Sequence, residues 1–203
     1  TGSNDIVVEN AFVPDYRTHK QSDGFHGTNP GVDQDSAALY HLPWAQLFIR
    51  VVSTPAIGAA RDALDLYTGL VKRKASGDVT KLAQDSGTQM RIAAAKNSIE
   101  EMTTVMLANF DAMMSTLRAG GTITLEDRIL YRYQASLVID KSIAVVDSLF
   151  SSAGGSSVFR GSAIQQCFLD IHTARAHVAN NPTAFARNLG AVALGAANAD
   201  FFV

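Results

Sequence analysis

The stretch LDIHTARAHVANNP, residues 169–182, gathers Asp170, His172, Arg175 and His177 into little more than two helical turns. These are the residue types of metal ligation and of proton transfer. His177 has three readings: a packed core histidine, half of a metal site, or the acid/base group of an enzyme whose cofactor lies elsewhere. Spacing removes the metal pair. His172 and His177 are five positions apart, and at about 100° per residue they point to different faces of a helix. A helical zinc pair is spaced by four, as in HExxH, and that pattern is absent. The Glu-x-x-His of di-iron bundles is absent as well, since Glu100-Glu101 and Glu126-Asp127 have no histidine at the matching offset. The single cysteine, Cys167, excludes a thiolate zinc or iron–sulfur site. No metal is expected. On a helix, Thr173 and Asp170 fall near the face of His177, although Asp170 lies roughly 10 Å along the axis and would act through an intervening group. Residue types alone leave acid/base work and a merely satisfied histidine both open.

Other candidates are weaker by themselves. No GxxxxGK[ST] and no GxGxxG after a strand occurs. SSAGGSS, 151–157, sets glycines and hydroxyls between two helices, where backbone N–H groups can receive a phosphate. Spacing alone favours a helix C-cap followed by a turn. Tyr40, Trp44 and Phe48 form a stripe at intervals of four, a pattern more often core than pocket. Lys72-Arg73-Lys74 closes a helix and complements its dipole, an anion site being the sharper alternative.

The elements that must hold these residues are mostly helical. DIVVENAFV, 5–13, reads as a strand ending at Pro14, and 14–35 as an exposed loop or linker and domain boundary. Helical character then runs over 36–74, with Pro43 and Pro55 as breaks or a start and Ile57, Ala60, Leu64, Tyr67 and Val71 on one face. A turn over 75–78 precedes a helix over 80–118. The next opens at Thr124 and closes at Gly154 or Gly155; others cover 162–180 and 183–197. Short Gly-containing turns between long helices argue for a mainly α, antiparallel bundle over 36–203. The central helices are apolar around much of their circumference, which points to oligomerisation.

Composition narrows the partners. The chain has 203 residues, a net charge of −2 and interspersed charges, with no basic stripe for nucleic acid. No apolar run approaches the ~20 residues of a membrane span. One cysteine fits a reducing compartment, hence a cytoplasmic setting. The start, TGSNDIVVENAFVP, has no signal-peptide blocks and no initiating Met. It reads as the C-terminal piece of a longer protein.

Three segments together resemble the acyl-CoA dehydrogenase superfamily. TGSNDIVVENAFVP resembles the strand leaving its middle β-domain, and AIGAARDALDLYTGLVKR the first long helix of its C-terminal bundle. SSAGGSSVFRGSAIQQCFLDIHTARAHV resembles the glycine turn and the helix that closes the flavin site. The resemblance makes 1–35 the end of the β-domain plus linker and 36–203 the C-terminal helical domain. Several dehydrogenases of the superfamily carry a catalytic glutamate eight positions after the Asp of an Arg-Asp pair, followed by Gly-Thr. Here Leu169-Asp170 replaces Arg-Asp, Val178 takes the glutamate position and Ala179-Asn180 replaces Gly-Thr. Valine removes no α-proton.

The chain instead resembles the flavin-dependent oxygenase components of two-component aromatic hydroxylases, whose closing helix looks like D-x-H-T-A-x-x-H. Asp170, His172, Thr173, Ala174 and His177 fit that pattern. The resemblance implies that His177 is the active-site histidine and His172 structural. It implies that Gly154, Gly155, Ser156 and Ser157 contact flavin phosphate, joined by Arg73, often across a subunit boundary. Trp44 and Phe48 would line the flavin and the aromatic substrate. The implied reaction uses reduced FMN or FAD from a separate NAD(P)H-dependent reductase, and a C4a-hydroperoxyflavin formed with O2 hydroxylates a phenol. The implied assembly is a homotetramer, and this chain alone an incomplete enzyme. An acyl-CoA dehydrogenase-like activity is the first alternative, a non-enzymatic helical assembly domain the second.

Overall fold

Thr124 fixes where the central helix begins. Its Oγ1 accepts from Asp127 N at 3.1 Å and donates to Asp127 Oδ2 at 2.7 Å, and Glu126 and Asp127 place negative charge in the first turn. The computed structural model describes residues 4–75 and 80–203. Its helices are α1 Gln21–His26, α2 Trp44–Ala75, α3 Thr80–Gln84, α4 Ser86–Arg118, α5 Leu125–Ser152, α6 Ala163–Ala174 and α7 Pro182–Ala193.

The long helices form a bundle. Gln46 Nε2 donates to Arg128 O at 3.0 Å, so α2 and α5 start side by side and run parallel. The α4 helix runs against both. Glu101 meets Lys141 at 3.7 Å, and Thr54 Oγ1 reaches Met106 Sδ at 3.4 Å. Likewise α6 runs against α5, joined by Arg175–Asp140 and His172–Asp147, each at 2.8 Å. The core between them is Tyr67, Ile99, Ile139, Val146, Leu149 and Ile171, all nearly inaccessible. Ala60, Ala63 and Ala135, wholly buried, are small enough to let helices approach closely.

Several boundaries differ from expectation, each for a local reason. The helix expected over 80–118 is split at Asp85, whose carboxylate caps α4 by accepting from Thr88 N at 2.7 Å. Of the turn expected over 75–78, positions 76–78 lie outside the described residues. Pro43 does precede a helix start, but Pro55 breaks nothing and sits inside α2. Val51, which loses its bond to the missing N–H, is on the exposed side of the helix, where water can replace it. The C-cap of α5 is Ala153, with Gly154 following at φ 88°. The helix expected over 162–180 stops at Ala174 because the buried Asn180 Nδ2 donates to Ala174 O at 2.8 Å. Similarly, α7 ends at Ala193 rather than 197, and Gly195 turns the chain at φ 92°. The strand expected over 5–13 is absent. Strands exist only as paired ladders, and among the described residues none pairs with this segment, leaving Ile6, Val7, Val8 and Phe12 exposed.

Candidate active site

His177 stands on a turn rather than a helix. After α6 the chain enters a short 3-10 turn, Val178–Asn180, and His177 is its N-cap. Ala179 N–H donates to His177 Nδ1 at 3.1 Å. An acceptor at Nδ1 carries no proton, so the neutral ring holds its proton on Nε2. The ring is exposed on its other side and lies 6.4 Å from Phe48, centroid to centroid.

Phe48 belongs to an aromatic wall at the start of α2. Trp44 and Phe48, one turn apart, stack at 5.1 Å with 27° between planes. Two further rings join them that the sequence reading did not select. Phe25 of α1 meets Trp44 edge-on at 5.2 Å, and Phe202 lies 5.4 Å from Trp44 and 5.5 Å from Phe48. The available signal was aromatic residues in otherwise polar or small-residue surroundings, DGFHG and NADFFV.

The remaining motif residues serve other ends. Because α6 stops at Ala174, Thr173 and Asp170 do not share a helical face with His177. Thr173 Oγ1 donates to Leu169 O, and Asp170 accepts from Gln166. His172 Nε2 is 2.8 Å from Asp147 Oδ1 and its ring is 4.4 Å from Phe168, so it ties α6 to α5. Cys167 Sγ donates to Asp62 at 3.4 Å, and burial with that carboxylate pushes the thiol up to about 12, leaving it inert. Among the described residues no group of three or more His, Cys, Asp or Glu could hold a metal ion.

Gly154 to Ser157 occupy the far end of the bundle. Gly154 is at φ 88°, which favours glycine, and Ser157 Oγ donates back to Gly154 O at 2.6 Å. Gly155 and Ser156 are exposed and open a 3-10 turn, so their N–H groups lie outside its ladder. Arg73 is exposed near the end of α2. Since α2 and α5 run parallel, Arg73 and the glycine turn share one end of the bundle and His177, Trp44 and Phe48 the other. The separation along α5 is roughly 30 Å at 1.5 Å per residue. The structure thus brings His177, Trp44 and Phe48 together and sets the anion-type residues apart from them. A separate cleft of about 310 Å³ lies between α2, α4, α5 and α7, lined by Arg50, Tyr133 and Gln134 among others.

The long helices thus form a bundle with an exposed histidine against an aromatic wall at one end and a glycine turn at the other. Residues 50–182 match the family model described as acyl-CoA dehydrogenase, C-terminal domain, and the chain belongs to that family. It is similar to the flavin-dependent monooxygenase oxygenase subunit HsaA of Rhodococcus jostii, 30% identical over 186 residues, 90% of this chain and 48% of that protein. The oxygenase component of the FADH(2)-dependent resorcinol hydroxylase of a Rhizobium species is 26% identical, over 96% of this chain and 50% of that protein. Among solved structures, the 3-HSA hydroxylase from Rhodococcus sp. RHA1 superposes with a TM-score of 0.90 at 27% identity, covering 97% of this chain and 51% of that one. The chain spans about half the length of the curated relatives it matches.

Proposed function

We propose that this chain is the C-terminal half of a flavin-dependent oxygenase component that hydroxylates a phenolic ring, using reduced flavin delivered by a separate NAD(P)H-dependent reductase. The observation that carries the reading is His177: its Nδ1 is occupied by Ala179 N–H, and its proton is therefore held at Nε2 beside the Phe48–Trp44 wall. A reduced flavin held there would supply, with O2, the electrophilic oxygen that the ring receives. The protein must place a proton donor beside that oxygen and keep water away. His177 Nε2–H is the donor; Phe25, Trp44, Phe48 and Phe202 are the apolar surface on which a planar ring can lie. No carboxylate replaces Val178, which is exposed at the position of a dehydrogenase base, so α-proton abstraction finds no group there.

The donors for an anionic cofactor fit, but at the opposite end. Gly155 and Ser156 N–H groups and the Arg73 guanidinium suit phosphate oxygens. A flavin nucleotide is too short to span roughly 30 Å of α5. Each cofactor would therefore lie between the His177 end of one subunit and the glycine-turn end of another, in a homo-oligomer. Exposed Val51, Met90 and Leu107 offer apolar surface for such contacts. The single cysteine suits a cytoplasmic enzyme.

The test is the full-length protein mixed with reduced FMN or FAD, O2 and a panel of phenols. Hydroxylated product that falls in His177→Ala, with hydrogen peroxide taking its place, is expected. Flavin oxidation that yields no product, and is unchanged by His177→Ala, would sink the assignment.

A further inference from the structure

We infer that Arg132 is a positioning residue for the active site, holding the His177 turn and the C-terminal segment in register through one guanidinium. The inference rests on the hydroxylase reading only for what the positioned groups do.

Arg132 lies inside α5 and is 4% exposed. Nη1 donates to Ala179 O at 3.2 Å. The guanidinium carbon sits 3.5 Å from the Phe185 ring centroid on α7 and 5.8 Å from that of Phe202. Nε faces Asp200 Oδ2 at 3.6 Å, an ion pair too long to be a hydrogen bond. One side chain therefore touches the turn after α6, the α7 helix and the segment that carries Phe202.

The contact with Ala179 matters because of what Ala179 does. Its carbonyl is held by Arg132, while its N–H donates to His177 Nδ1. Fixing this residue fixes the donor that selects the Nε2–H form of the imidazole. Through Asp200 and the Phe202 ring, the same guanidinium holds the segment bearing Phe202 against Phe48. Desolvation lowers the guanidinium to about 10 despite the opposing pull of Asp200. A group so costly to bury is a poor choice for simple packing. Lysine cannot replace it, lacking the planar fork that bonds a carbonyl and stacks on an aromatic face together.

Nitrogen-15 spectroscopy of histidine-labelled full-length protein tests this without flavin or substrate, with the His177 signal assigned by its loss in His177→Ala. The wild type should show the Nε2–H form alone. Arg132→Met should populate the Nδ1–H form as well, and product per reduced flavin oxidised should fall by up to about 100-fold, as for a misplaced catalytic group. Asp200→Asn leaves the Arg132–Ala179 bond and should leave the histidine signal unchanged. Should Arg132→Met not fold, Arg132→Lys takes its place under the same criteria. A His177 signal identical to wild type in the folded Arg132 variant overturns the inference. A shifted signal in a protein that hydroxylates nothing supports the positioning role and removes the hydroxylase reading. An unchanged signal in an active hydroxylase does the reverse.

Discussion

The backbone N–H of Ala179 donates to Nδ1 of His177 at 3.1 Å, so the histidine caps its own turn with one nitrogen and presents the other outward. Structure and chemistry are thereby divided between two atoms of one ring, and substitution can separate them. Asparagine is among the best capping residues, and its Oδ1 can take over the acceptor role of Nδ1. It cannot reach where Nε2 stands. His177→Asn should keep stability within about 0.5 kcal/mol of wild type while hydroxylation falls by about 100-fold. Thermal unfolding and product yield on one sample check both halves. Equal loss of both would make His177 structural.

The two ends of the bundle predict complementation. His177→Ala removes the chemistry of one end. Gly154→Ala strains the glycine turn at the other, because φ 88° with ψ 179° suits glycine only. If each cofactor is shared between subunits, co-refolded mixtures of the two inactive variants should regain activity, since some sites receive an intact end from each parent. Mixtures no more active than the parents would place each cofactor within one subunit.

Asp85 gives a pH-dependent prediction. The Thr88 backbone and side chain hold its carboxyl below the ordinary carboxylate range. A folded-state pKa below the unfolded one contributes stability that is fully present above the unfolded pKa. That contribution disappears as pH falls through the folded one. Asp85→Ala should therefore unfold at lower temperature than wild type at neutral pH, and the gap should narrow in acid. A gap of constant size from neutral pH down to pH 2 would show that the charge contributes nothing.

These cases also show what the sequence made legible. Helix positions followed from apolar periodicity and caps, as at Thr124, because those signals are local. The division at Asp85 and the early end of α6 were not read, since each depends on a side chain competing for a backbone group. Asn180 takes the Ala174 carbonyl across six positions, and helical periodicity carries no trace of that. His177 was singled out by motif resemblance, whereas its hydrogen bond to Ala179 depends on the helix having already ended. Phe25 and Phe202 were missed because they reach Trp44 from segments without periodicity.

Phe202 supplies the last prediction. Its half-buried ring lies 5.1 Å from Phe25, 5.4 Å from Trp44 and 5.5 Å from Phe48. It is delivered by a segment held at Asn198, Asp200 and Val203, the last accepting from Arg128 Nη1 at 3.2 Å. Removing the ring opens the wall while those anchors remain. Phe202→Ala should cost roughly 1–2 kcal/mol, less than the loss of a fully buried phenylalanine. It should also raise the KM for single-ring phenols more than for fused-ring ones, because only a larger substrate refills the gap. Competition between one-ring and multi-ring phenols in the full-length enzyme measures the ratio directly. A ratio unchanged from wild type, in a variant destabilised as expected, would assign Phe202 to packing and leave the substrate surface to Trp44 and Phe48.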